Sequence, residues 1–153
     1  MIDITSISAV VAASGVIVGV VFAYLEVRSL ARTRRTELFH GVFTNITRRE
    51  FLESWEKVNE RESASYEDYK KKYGFVEYNQ VFTTFTEIGI LVSQKLIDVD
   101  SVYKIFGLGV KKAWEKLKPL IEEFKETEPQ EVWAFEYLYN EMKKREQQLA
   151  TFQ

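Results

Sequence analysis

Apolar residues follow two different patterns along this chain. From Ile4 to Leu25 they run with no charged residue among them, and from Arg28 onward they recur at steps of three and four. The first pattern predicts a helix of about 33 Å, enough to cross the hydrocarbon core of a bilayer. Ser6, Ser8 and Ser14 are its strongest polar groups, and each hydroxyl can bond back to its own helix. A cleaved signal peptide fits poorly, because the N-terminus carries only Asp3 and no Ala-x-Ala-like site lies near Tyr24–Arg28. A buried core helix would be shorter and would carry a polar face.

The second pattern predicts amphipathic helices. Leu38, Phe39, Val42, Phe43 and Ile46, then Phe51, Leu52, Trp55 and Val58, mark a helix from Arg28 to about Asn59, with a bend possible at Gly41. Glu60–Ser65 is polar and reads as a loop. Tyr66, Tyr69 and Tyr73 fall on one side of a short helix ending near Gly74. Tyr78, Phe82, Phe85, Ile88 or Gly89, Val92 and Leu96 form the clearest stripe. Asp98 should cap the next helix, with Val102, Ile105, Phe106, Val110, Ala113 and Leu117 inward. Pro119 should kink or break that helix, whose apolar face resumes at Leu120, Ile121 and Phe124. Thr127-Glu128-Pro129-Gln130 resembles a capping box opening a last helix through Val132, Phe135, Tyr139 and Met142. Strand and hairpin signals are nearly absent. The expected fold is all-α: one N-terminal transmembrane helix (residues 1–28 with its flank) and a compact helical bundle of about five helices over 29–153.

Charge assigns the sides. Arg28, Arg32, Arg34 and Arg35 follow the span and no Lys or Arg precedes it, so the positive-inside rule places the N-terminus outside and the C-terminal domain in the cytoplasm of a single-pass cell-membrane protein. A chain without cysteine accords with a reducing compartment. Beyond residue 35 there are 17 Lys/Arg against 21 Asp/Glu. That net negative domain is a poor nucleic-acid binder, and the arginine cluster suits anionic lipid head groups. Aromatic richness, with 11 Phe, 8 Tyr and 3 Trp, indicates a dense core or an apolar contact surface. Trp55, Trp114 and Trp133 are expected to lock helix packing.

Few residues carry candidate chemistry. Gly15, Gly19 and Ala23 make a small-xxx-small face that allows close helix association in lipid, although glycine is also simply common in spans. Glu37 and His40 share a helix face in the Glu-x-x-His spacing of di-iron bundles. With one histidine in the chain, such a metal site needs a second copy at a two-fold axis, with Glu50 or Glu53 as further ligands. Glu87 beside the aromatic stripe is an acid–base candidate, or more simply an ion-pair partner for Arg48 or Arg49. Lys70, Lys71 and Lys72 read as a solvated face, with membrane-surface contact as the alternative. No cysteine nucleophile, phosphate loop, Gly-x-Ser-x-Gly or second histidine is present, and no cofactor is implied.

Trp55-Glu56, Glu87-Ile-Gly-Ile-Leu-Val with Leu96-Ile97-Asp98, Phe106-Gly107, and Trp114-Glu115 with Pro119-Leu-Ile follow the span and the arginine-rich helix. This order resembles a prokaryotic family of short membrane-anchored helical proteins catalogued only as a domain of unknown function. The resemblance implies a helical cytoplasmic domain on an anchor and brings no catalytic residues. The expected partners are the lipid bilayer and either a second copy or another membrane subunit. The expected role is interaction or scaffolding. The alternatives are a carboxylate/His metalloenzyme at a homodimer interface and a lipid- or small-ligand-binding helical domain.

Overall fold

The computed structural model describes residues 4–63 and 65–151, with the side chains of residues 4–13 excepted; Asp3 and the side chains of Ser6 and Ser8 therefore lie outside the described residues. Six helices and no strand occur among the described residues: α1 Ile4–Thr47, α2 Arg49–Glu60, α3 Tyr66–Tyr73, α4 Val76–Ser93, α5 Val99–Thr127 and α6 Pro129–Thr151. The all-α expectation holds. The chain divides into two compact units, one through Glu37 and one from Leu38 onward.

In the first unit, α1 is exposed at every described side chain from Ser14 to Glu37. Thr33 and Thr36 donate their hydroxyls to the carbonyls of Ser29 and Arg32, one turn back. The segment is long and apolar enough to cross a membrane.

In the second unit, α6 packs against both α4 and α5, α2 packs on α4, and α3 on α5. Phe135 lies at the centre, fully buried, with ring centroids 5.3 Å from Phe85, 5.1 Å from Trp114 and 6.0 Å from Phe82. Phe51 and Trp55 of α2 join this cluster edge-on to Phe85. Aromatic residues thus supply both the apolar area and the geometric specificity of the centre. The end of α1 contributes through Val42, which is buried, and through Phe39 and Phe43, whose rings approach Phe106 of α5.

Local signals set several helix ends. Gly74, with φ of 78°, ends α3 as expected, and the Ser65 side chain, read in the sequence only as the end of a loop, caps its start by accepting from Asp68 N. Asp98 caps α5 by accepting from Ser101 N at 2.9 Å.

Other expectations are corrected. The helix passes through Gly41 unbroken and stops at Arg48, whose ψ of 143° is extended. Thr47 turns its hydroxyl onto Phe43 O there, a local bond that competes with helix continuation. The α4 stripe ends before Leu96: Lys95 adopts φ of 57°, and the Leu96 and Lys95 amides close back on Leu91 and Val92. This stop buries Ile97 and leaves Leu96 outside. Pro119 does not break α5, because it is exposed and water can satisfy the carbonyl its missing N–H leaves behind, while Leu117, Leu120 and Ile121 are buried around it. Thr127 forms no capping box. Its hydroxyl bonds Phe124 O inside α5, and α6 begins directly at Pro129. Ile105 and Trp133 face outward rather than into the core.

Candidate functional site

The small-residue face lies on α1, exposed along its length. A Cβ built at Gly15 or Gly19 would meet nothing within 4 Å, and Ala23 is exposed. Around it Val16, Ile17, Val20, Val21 and Phe22 are all more than half exposed. Arg28, Arg32, Arg34 and Arg35 are exposed and make no ion pair among the described residues.

Glu37 and His40 are exposed on α1, and no group of three or more potential metal ligands occurs among the described residues. Glu50 and Glu53 are likewise exposed, with Glu53 engaged by Arg49 at 2.6 Å. That pair also settles the expected partner of Glu87. Arg49 is committed to Glu53, and Glu87, itself exposed, makes no ion pair among the described residues. Lys70, Lys71 and Lys72 are exposed as expected of a solvated face, with Lys72 held by Asp68 at 2.8 Å.

The second unit carries a cleft of about 490 Å³ between the end of α2, α3 and the middle of α5. Arg61, Lys72 and Lys116 line it with Glu62, Asp68 and Tyr69. Most of this charge is already matched. Glu77 accepts from Lys57 at 3.0 Å and from Arg61 at 3.1 Å, and Arg61 also lies over the Tyr73 ring. These two bonds hold the Glu77 carboxyl down to about 2. Burial pushes the Tyr78 hydroxyl well above its ordinary value. Tyr69 is buried with its hydroxyl enclosed, making no hydrogen bond of good geometry, although its closeness raises the neighbouring Arg61. The cleft thus holds hydroxyls and paired ions but no histidine or thiol to activate a nucleophile.

A second feature lies on the outer face of α5. Ile105 and Leu108 are 51% and 63% exposed, and they share a depression of about 230 Å³ with Tyr103, Lys104, Gly107, Lys111 and Glu146. Sequence reading misplaced Ile105 because it neighbours Phe106, which does face inward. The available signal was the spacing Lys104, Ile105, Leu108, Lys112, which is offset from the core stripe Val102, Phe106, Val110. The Lys57–Glu77–Arg61 cluster was not legible either, since its members come from separate elements.

The model of a family described as a domain of unknown function, DUF4760, matches residues 9–142, and the chain belongs to that family. No curated protein and no solved structure matches the chain significantly.

Proposed function

We propose that this member of the DUF4760 family is a single-span membrane protein whose helical domain serves as an interaction or scaffold module. Its N-terminus lies outside and its domain in the cytoplasm, and it either self-associates or docks as an accessory subunit on a larger membrane complex. The observation that carries this reading is the surface of α1. From Ser14 to Leu30 its large apolar side chains are exposed on every side, which in water would be an unstable, aggregation-prone arrangement. Lipid removes that penalty, and the arginines that follow suit the head-group region on the cytoplasmic side.

Gly15, Gly19 and Ala23 form the surface on which a second span packs closely, because the missing side chains let helix backbones approach. The matched charges of the cleft support a structural rather than a chemical role for it. Gly15→Ile/Gly19→Ile in the full-length protein should reduce its association, followed by native mass spectrometry or cross-linking in mild detergent, while leaving the domain's helical content intact. Association unchanged by the double substitution discards this interface.

A further inference from the structure

We propose that the outer face of the first half of α5 rests on the anionic surface of the membrane that anchors the chain, with Ile105 and Leu108 dipping among the head groups and Lys104 and Lys112 meeting lipid phosphates. The inference rests on the reading of α1 as a membrane span.

Three observations converge on this face. Ile105 and Leu108 project side by side from α5, each more than half exposed, and they border a depression of about 230 Å³. Lys104 and Lys112 are exposed on the same face and make no ion pair among the described residues. The neighbouring carboxylates are largely neutralised: Asp100 is held by Arg145, and Glu146 by Lys111. Glu115, a turn further along, is exposed and marks where the basic character ends. A local cationic, apolar surface thus stands out on a domain whose overall charge is negative, which is the pattern of interfacial membrane contact.

Within the helical domain, Phe39 and Phe43 meet Phe106, directly between Ile105 and Gly107. Phe106 therefore fills the inner face of this stretch of α5 and leaves Ile105 and Leu108 on the outer one.

The absence of cysteine allows a direct test. Single-cysteine variants Leu108→Cys, Val76→Cys and Val18→Cys of the full-length protein, each labelled with bimane, are reconstituted into phosphatidylcholine vesicles with about a quarter phosphatidylglycerol. Quenching is read with a lipid bearing a nitroxide near the top of its acyl chain. Val76, 74% exposed at the start of α4, controls for the dye's own affinity for lipid. Quenching at position 108 should exceed that at 76 by about threefold or more, and Lys104→Glu/Lys112→Glu should reduce it at least about fivefold, as expected when two basic contacts are lost. Equal quenching at 108 and 76, with Val18 quenched, overturns the surface contact and leaves the anchor standing. An unquenched Val18 overturns both. Equal quenching at 108 in vesicles of phosphatidylcholine alone overturns the role of the lysines. A dye at 108 that is shielded only as protein concentration rises, without lipid quenching, assigns the face to a second copy instead.

Discussion

Gly89 of α4 lies directly against the backbone carbonyl of Ala134 in α6: a Cβ built at Gly89 would sit 2.6 Å from the Ala134 carbonyl carbon. The crossing brings Phe85 of α4 onto Phe135 of α6 in a stacked pair, four residues from Gly89 on one helix and adjacent to Ala134 on the other. The closeness of the two backbones and the aromatic centre are therefore one feature. Because the obstructing atoms are backbone, no rotamer change can make room. Gly89→Ala should destabilise the protein by about 3 kcal/mol, at the upper end of overpacking costs. Gly41→Ala, where a Cβ meets nothing within 4 Å, should be neutral or stabilising by up to about 1 kcal/mol. Thermal melts of the two variants in the same detergent check the contrast.

Phe135→Ala should cost about 3–5 kcal/mol, the range for emptying a fully buried aromatic site. Three rings lose their partner at once, among them Trp114 at 5.1 Å. Tryptophan emission should shift to the red even under conditions where the variant remains folded, and unchanged emission would place Trp114 elsewhere.

Glu77 links stability to acid. Its carboxyl is held near 2 by hydrogen bonds from Lys57 and Arg61, against about 4.5 when free. A depressed folded-state value stabilises the native state fully above about pH 4.5, and this contribution is lost as pH falls toward 2. The side chain is 18% exposed, so solvent screening limits the contribution to about 1–3 kcal/mol. Glu77→Gln should be less stable than the parent by that amount at pH 7. Denaturant midpoints for the two should converge as pH approaches the folded value.

Lys95 occupies the left-handed region at the end of α4, with φ of 57°. Glycine adopts that conformation without the Cβ clash, and Lys95 makes no ion pair among the described residues. Lys95→Gly should therefore stabilise the protein by about 1 kcal/mol, visible as a raised midpoint with an unchanged denaturant slope.

The hydrophobic spacing made the helices legible together with most of the buried stripe, and residue chemistry did the same for the ends at Gly74 and Asp98. These depend on contacts within a few residues. What escaped depends on contacts between elements or on backbone choices that many residue types tolerate. Nothing in Ser93-Gln94-Lys95-Leu96 announces a left-handed stop, so the α4 stripe ran one turn too far. Ile105 and Phe106 are equally apolar neighbours, and the packing of Phe39 and Phe43 on Phe106 confirms which turns inward, as the Lys104, Ile105, Leu108, Lys112 spacing already hinted. Glu77 was invisible as an ion-pair centre because its partners belong to α2 and the loop that follows. For the α1 surface, the small residues Gly15, Gly19 and Ala23 were legible directly from their four-residue spacing.

The central claim is that α1 anchors the chain with its helical domain on the cytoplasmic side. Single cysteines placed in the cysteine-free, full-length protein, one at Asp3 and one at Gln147, can be tested in intact cells with a membrane-impermeant maleimide after alkaline carbonate fractionation. The protein should stay in the membrane pellet, with Asp3→Cys labelled from outside and Gln147→Cys labelled only after permeabilisation. Release of the protein by carbonate, or labelling of Gln147→Cys in intact cells, would contradict the account.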